Sequence, residues 1–307
     1  MTKLYLNDNI LMKVCGNWII EIMIGTAEQL YSYIINDEER TFGKKFGPAI
    51  LKAAAPLVKR KYNLFVEGCE NIPSNKNVSV VADHLLSHDI ITQKIAFYLA
   101  CGRSISALVD LSGTIKPWEA NVLGTQDPTF IIRGESEIAR SSQERAVKEI
   151  ERKQGLGRDT IVWGSGVVAP EIHNVMRTQA GGSTKPALKT GTPIIIATEV
   201  YVPKDSLQGI ESTHIQYSRL FKPQQYTDAY VAANAITEIM REQKRKYIQK
   251  YTPGITQAQW SEVRAWDRNT RKHNEHAYWW NTLEYKLAAK RGDIKEMKRI
   301  QAMFETL

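Results

Sequence analysis

The sequence has 307 residues, 43% of them hydrophobic, and its 41 Lys and Arg against 33 Asp and Glu give a net charge of +8. A chain of this length and apolar content can bury the core of one large domain or two smaller ones. Three cysteines, none of them in a C-x-x-C pair, argue against a disulfide framework or a zinc site and fit a reducing compartment. The basic excess suits an anionic partner such as a membrane surface, a phosphorylated substrate or nucleic acid, and a solvated basic face explains it equally well.

Residues 1–59 form a predicted N-terminal helical segment. Apolar residues recur at spacings of three and four over 10–35, and a second helix is predicted over 46–60, ending in Lys59, Arg60 and Lys61. These helices either pack on the core or, being basic and amphipathic, lie on a membrane surface. No run reaches the roughly 18–20 apolar residues that a bilayer span needs, and the first residues lack the pattern of a signal peptide. We therefore expect a cytoplasmic protein, peripheral on the inner face of the membrane.

Residues 60–225 form a predicted α/β core. Strands are predicted over 62–67, 78–82, 105–109, 160–163 and 193–200, and helices over 90–100, 136–154 and 184–189. This alternation indicates a mixed, largely parallel central sheet flanked by helices. The continuous apolar run 78–82 is typical of a strand that is covered on both faces.

Residues 226–307 form a predicted C-terminal helical extension. A helix over 227–250 is broken at Pro253-Gly254, and the tail 256–305 combines four tryptophans with Arg and Lys. Those tryptophans suit docking on the core, a membrane interface or stacking on single-stranded nucleic acid. His273 and His276 have a spacing that could begin a metal site, but no further ligands are evident and we expect no metal.

A cluster of ionisable residues, Asp83, His84, His88 and Asp89, follows the run 78–82. Ligands of α/β sheets bind beyond the carboxyl ends of strands, where His84 would stand. If Asp89 enters the next helix after a turn, its carboxylate can contact the imidazole, fix its tautomer and make it a base for a hydroxyl proton. His88 is a second candidate base, and a helix cap with a surface ion pair is the alternative without catalysis.

The residues around this cluster resemble the glycerolipid acyltransferases, the lysophosphatidic acid and glycerol-3-phosphate acyltransferases. V-E-G-C-E-N-I-P over 66–73 is similar to the family's approach to its first strand, and N-V-S-V-V-A-D-H-L-L-S-H-D over 77–89 is similar to its N-H-x-x-x-x-D block. His84 and Asp89 match the His and Asp of that block, while Asp83 stands where the family usually has Asn.

Residues similar to the family's second, third and fourth blocks follow in the same order, and the third block departs from the family's pattern. G-T-Q-D-P-T-F-I-I-R over 124–133 resembles the second block, so Arg133 is implied to bind the acceptor's phosphate. In V-W-G-S-G-V-V, over 162–168, Gly166 matches the third block, whereas Ser165 replaces its glutamate and Val168 its arginine. Glu171 or Arg177 are candidate substitutes for those two. The stretch 182–197, which contains Lys185, resembles the fourth block.

The resemblance implies an acyltransferase that needs no cofactor. His84, oriented by Asp89, would activate a hydroxyl of a glycerol-phosphate or lysophospholipid acceptor, which attacks the thioester of acyl-CoA or acyl-carrier protein. Backbone N–H groups around Ser165 and Gly166 would stabilise the oxyanion. Arg133, with Lys185, would hold a phosphate, and the basic surface would attract anionic membrane lipid or the acidic carrier protein.

Two alternatives remain open because of the departure in the third block. One is an acyltransferase for an acceptor without phosphate, a glycolipid or an amine. The other is a catalytically inactive homologue that binds lipid. No nucleic-acid partner is expected, since no helix-turn-helix or RNA-binding signature is present.

Overall fold

The computed structural model describes residues 41–86, 88–110, 129–131, 137–164, 180–275, 293–295 and 299. The helix predicted over 10–35 lies outside the described residues. The division of the chain at residues 59 and 225 stays a prediction.

Six helices and seven strands are described. The helices are α1 (Thr41–Lys61), α2 (Asp89–Cys101), α3 (Glu137–Gly155), α4 (Lys185–Thr190), α5 (Ala229–Tyr251) and α6 (Gln257–Glu275). The strands are β1 (Leu64–Glu67), β2 (Ser79–Ala82), β3 (Ser106–Asp110), β4 (Thr129–Ile131), β5 (Thr160–Trp163), β6 (Ile194–Pro203) and β7 (Ile210–Tyr217). None of these helices combines the length and hydropathy that crossing a bilayer requires.

The strands form one sheet in the order β1-β7-β6-β2-β5-β3-β4. Every neighbouring pair is parallel except β6 and β7, which form an antiparallel hairpin. The predicted α/β class with a mixed, largely parallel sheet is therefore confirmed. β2 lies in the interior of the sheet between β5 and β6, which places the residues after Ala82 at the middle of its carboxyl edge.

The two faces of the sheet are covered by different helices. Val80 and Ala82 of β2 pack with α1 and α2 in one core cluster, whereas Val81 packs with α3, α4 and α5 in another. Alternate side chains of a strand point to opposite faces, so a strand covered on both sides needs apolar residues at every position. This explains why 78–82 is a continuous apolar run.

The turn after β1 explains the glycine and asparagine of the 66–73 stretch. Gly68 has φ +75°, and a Cβ there would lie 2.2 Å from the carbonyl oxygen of Tyr217, so both its backbone conformation and its close approach to β7 require glycine. The side chain of Asn71 donates a hydrogen bond of 3.0 Å to the same carbonyl. The stretch therefore joins β1 to the last strand of the sheet.

Two strands were not predicted, β4 and β7. β4 has only three residues, and β7 reads I-E-S-T-H-I-Q-Y, with Ser212, Thr213 and His214 all buried. Neither has the long apolar or alternating pattern from which a strand is predicted. The bounds of the other predicted elements agree to within three residues, except that α1 begins five residues earlier, at Thr41.

The C-terminal helix α6 packs on the turn after β2. Trp260 and Val263 are both fully buried, in a cluster with Leu85, Leu86 and Tyr201. Docking on the core is thus the role of Trp260 among the three alternatives for the tail. Trp279 and Trp280 lie outside the described residues.

Candidate active site

The site begins where the central strand β2 ends. The backbone N–H of Asp83 still donates to the carbonyl of Ala197 on β6 (3.0 Å), after which the chain turns and α2 begins at Asp89. The turn brings the start of α2 back over the end of β2. His84 and Asp89 thereby meet at the carboxyl edge of the sheet, where ligands of α/β folds bind.

His84 and Asp89 are joined by a hydrogen bond. The distance between His84 Nδ1 and Asp89 Oδ2 is 2.9 Å. Asp89 also accepts hydrogen bonds from the backbone N–H groups of Leu85 (2.5 Å) and Leu86 (3.1 Å) and from the hydroxyl of Tyr201 (2.5 Å). The carboxylate is fully buried, while the imidazole side chain is 15% exposed. The pair therefore combines a fixed internal carboxylate with a ring that a second molecule can reach.

The surroundings of Asp89 favour its charged form. Burial raises its pKa, but the hydrogen bond and charge of His84, the charge of His88 and the hydrogen bond from Tyr201 together lower the pKa below its usual value. A charged carboxylate at Nδ1 favours the tautomer that has its proton on Nδ1. Nε2 of His84 is then free of a proton and able to accept one.

A second carboxyl group, Glu199 of β6, is buried behind the pair. It accepts hydrogen bonds from Thr92 Oγ1 (2.9 Å) and Gln93 Nε2 (2.8 Å), both on α2. Burial, and then the charge of Asp89, raise the pKa of Glu199 well above its usual value. Burial and the same two carboxyl groups raise the pKa of Tyr201. Glu199 was not predicted from the sequence; a glutamate within the apolar strand I-I-I-A-T-E-V-Y was the available signal.

Asp83 makes a buried ion pair with a distant lysine. Its Oδ2 lies 2.7 Å from Nζ of Lys244 on α5, and both side chains are almost fully buried. Its Oδ1 accepts the backbone N–H of His84 (2.9 Å), and its carbonyl accepts from Gln93 (3.0 Å). The two charges are 161 residues apart in the chain, so no local pattern could predict their pairing.

His88, the second candidate base, is buried among aromatic rings and a carboxylate. Its ring stacks on Tyr62, with centroids 4.7 Å apart, and meets the edge of Tyr201 at 5.0 Å. Its Nδ1 lies 3.9 Å from a carboxylate oxygen of Asp267 on α6. The ring is buried between three elements, so the geometry favours His84 as the base.

The other expected site residues are not joined to the pair. Arg133, Ser165 and Gly166 lie outside the described residues, as do Glu171 and Arg177. Lys185 is exposed at the start of α4, on the face of the sheet opposite α2, and in the described part of the chain no hydrogen bond or ion pair links it to His84 or Asp89.

The strand that leads into the third block ends beside the imidazole. Trp163 of β5 is aligned with Ala82 of β2, and its ring centroid lies 6.2 Å from that of His84. The described ranges contain no group of three or more His, Cys, Asp or Glu side chains that could hold a metal ion.

The fold is similar to that of a known glycerophosphate acyltransferase. The structure is similar to that of the 1-acyl-sn-glycerophosphate (LPA) acyltransferase PlsC from Thermotoga maritima, with a TM-score of 0.53 and 19% sequence identity, over 78% of this chain and 96% of that chain. No family model matches the sequence, and no curated protein matches it. At this identity the likeness establishes the fold alone.

Proposed function

We propose that the protein is an acyltransferase that moves a fatty acyl group from acyl-CoA or acyl-carrier protein to the hydroxyl of a glycerol-phosphate or lysophospholipid acceptor. The observation that carries this proposal is the 2.9 Å contact between His84 and a buried Asp89 at the carboxyl end of the central strand. An imidazole held by a carboxylate is the usual arrangement of a general base. The similarity to PlsC supports a lipid hydroxyl as the group to be deprotonated.

The proposed reaction needs no acyl-enzyme. Nε2 of His84 takes the proton of the acceptor hydroxyl as its oxygen attacks the thioester carbonyl. The tetrahedral intermediate collapses with cleavage of the C–S bond, and the imidazolium returns the proton to the leaving thiolate. The products are the ester and the free thiol. Asp89 keeps its charge throughout, holding the ring and stabilising the imidazolium, and backbone N–H groups near Gly166 are the proposed oxyanion donors.

We propose that the protein binds to an anionic membrane surface. Lys52, Lys59, Arg60 and Lys61 of α1 are exposed, and Leu57 of the same helix is 58% exposed. Basic side chains beside an exposed apolar one are attracted to negatively charged lipid. Sedimentation with vesicles of anionic and of zwitterionic lipid would test this attraction.

The decisive test replaces the base. We expect His84→Ala to lower kcat by about 10²–10⁴-fold, the usual contribution of a general base, with an unchanged thermal unfolding midpoint. Release of free thiol from acyl-CoA in the presence of acceptor would be measured. The matched control is His88→Gln, which should retain most of the activity. Normal turnover by purified His84→Ala protein would refute the proposed function.

The acceptor is tested with matched substrates. We propose that Arg133, with Lys185, binds a phosphate, so Arg133→Ala should raise KM for lysophosphatidic acid and leave KM for a phosphate-free monoacylglycerol unchanged. Preference of the wild-type protein for phosphate-free acceptors would favour the alternative that the departure at Ser165 allows. Lipid binding without turnover of any thioester would favour an inactive lipid-binding homologue.

A further inference from the structure

Behind the catalytic pair lies a buried group of polar side chains that general-base catalysis by two residues does not require. Glu199 and Tyr201 are two residues apart on β6 and so point to the same face of the sheet. Asp89, Thr92 and Gln93 approach them from the first turn of α2. All five side chains are completely buried. Polar groups are buried at this density only when they are paired with one another.

The hydrogen bonds decide which of the two carboxyl groups is charged. Two carboxylates in one buried site cannot both ionise without strong repulsion. Asp89 accepts from two backbone N–H groups, the imidazole of His84 and the hydroxyl of Tyr201. Glu199 accepts from the neutral side chains of Thr92 and Gln93. Asp89 has the larger number of hydrogen bonds that stabilise a negative charge, so Asp89 is ionised and Glu199 keeps its proton.

We propose that Tyr201 is a positioning residue of the pair and that Glu199 is a permanently protonated group behind it, so that the catalytic unit is the chain His84–Asp89–Tyr201–Glu199. Tyr201 lies within hydrogen-bonding reach of Glu199 and donates its hydroxyl proton to Oδ1 of Asp89, which leaves Oδ2 for Nδ1 of His84. Its hydroxyl thereby fixes the rotation of the carboxylate. This inference rests on the proposed function for its kinetic test but not for its spectroscopic one.

Other charged and titratable groups surround this chain on every element that packs against it. Besides Tyr217 of β7, whose pKa the charge of Glu199 helps to raise, they are Asp83 in the turn after β2, His88 and Lys94 of α2, Lys244 of α5 and Asp267 of α6. Asp83 is paired with Lys244, and His88 faces Asp267. The variants below leave all five unchanged, so a change in pH dependence reports on Tyr201 and Glu199.

The first test is Tyr201→Phe, which keeps the ring and removes the hydroxyl. Without that hydrogen bond the charge on Asp89 is less dispersed and holds the proton of the imidazolium more firmly. The acid limb of the kcat/KM profile should therefore move to higher pH by about half to one unit. We expect kcat to fall roughly 10-fold. KM should be unchanged, because Tyr201 does not contact the acceptor. The matched control is Tyr217→Phe on β7, whose buried hydroxyl has no hydrogen-bond partner among the described residues and should leave the profile unchanged.

The second test is Glu199→Gln, which resembles the protonated carboxyl group in shape and charge. The acid limb should stay where it is in the wild-type protein. A shift of that limb to lower pH would mean that Glu199 is ionised, and a wild-type profile in Tyr201→Phe would mean that Tyr201 only packs. Either result overturns the inference, while the loss of activity in His84→Ala would leave the proposed function standing.

A measurement that needs no turnover tests the protonation of Glu199 independently of the proposed acyl transfer. Infrared spectra of the wild-type protein near neutral pH should contain the C=O band of a buried protonated carboxyl group, and Glu199→Gln should lack it. A wild-type spectrum without this band would overturn the assignment of Glu199 whether or not the protein transfers acyl groups.

Discussion

At the scale of single residues, Glu67 links β1 to α5 through hydrogen bonds and an ion pair. Its carboxylate accepts hydrogen bonds from the hydroxyls of Tyr247 and Tyr251 and lies 2.9 Å from Nζ of Lys250. The tyrosine Tyr251 in turn stacks on His214 of β7, with ring centroids 3.7 Å apart. One partly exposed carboxylate thus joins the last turns of α5 to the two strands at the edge of the sheet.

The pKa of Glu67 predicts a pH-dependent stability. Burial raises this pKa, but hydrogen bonds from Tyr247, Tyr251 and Lys250 outweigh burial and lower it from 4.5 to about 2. A lowered pKa means that the stabilisation is complete above pH 4.5 and is lost as the pH falls towards 2. We expect Glu67→Gln to lower the free energy of unfolding by at most about 1 kcal/mol near neutral pH, because the carboxylate is 40% exposed.

Urea unfolding across that pH range measures the effect. The difference between wild type and Glu67→Gln should shrink as the pH falls from 4.5 towards 2. Glu70→Gln, an exposed glutamate three residues later, is the control and should show little difference at any pH. A difference for Glu67→Gln that stays constant down to the lowest pH would contradict the assignment.

At the scale of elements, the ion pair between Asp83 and Lys244 joins the turn that contains His84 to α5. The pair lies on the face of the sheet opposite to α2, where α5 covers β6 and β2. The glycerolipid acyltransferases that this sequence resembles usually have a neutral Asn at this position. Here the position holds a carboxylate, and α5 supplies the cation that neutralises it. A buried pair of this kind contributes little net stability, whereas removing one partner exposes the other to an apolar interior.

A double-mutant cycle tests this balance. Lys244→Met should lower the free energy of unfolding by about 3–5 kcal/mol, because it leaves the carboxylate of Asp83 without its cation. Asp83→Asn should also destabilise, and the double variant should recover most of the loss. Equilibrium unfolding in urea gives all four values. Additive losses in the double variant would show that the two side chains do not depend on each other.

The sheet was predictable where a strand is apolar on both faces and not where the strand is very short or contains buried polar residues. Val80, Val81 and Ala82 are apolar because both layers of helices contact them, and that pattern is visible in the sequence. β7 has buried Ser212 and Thr213 among its residues, so its strand character depends on pairing with β6 and β1. Backbone pairing of this kind leaves no periodic signal in the side chains.

The site was predictable where its residues are close in the chain. His84 and Asp89 are five residues apart, and one turn between a strand and a helix brings them together. Tyr201 reaches Asp89 from 112 residues away and Lys244 reaches Asp83 from 161 residues away. These contacts follow from the order of strands and the packing of α5, which local pattern does not determine.

At the scale of the whole molecule, α6 supports the turn that contains His84. Trp260 packs on Leu85 and Leu86, the residues between His84 and the start of α2. We expect Trp260→Ala to lower the free energy of unfolding by about 3–5 kcal/mol, since it removes a large buried ring, and to lower kcat as the turn loosens. Thermal unfolding and thiol release would be measured on the same preparation.

The control for Trp260 lies on the same helix. Trp266 is half-buried, so Trp266→Ala should destabilise less and leave kcat nearly unchanged. Equal effects of the two substitutions on activity would show that α6 does not support the turn through Trp260.

The pairing of β1 with β7 has a consequence for how the protein is made. Asn71 donates a hydrogen bond to the carbonyl of Tyr217, which lies 146 residues later in the chain. A ribosome adds about 5–20 residues per second, so Tyr217 is synthesised roughly 7–30 s after Asn71. During that interval the backbone of β1 has no neighbouring strand and presents an open edge to other nascent chains. Newly synthesised protein therefore passes through an aggregation-prone stage that ends only when the hairpin of β6 and β7 is complete, and yield should depend on chaperones that shield such edges.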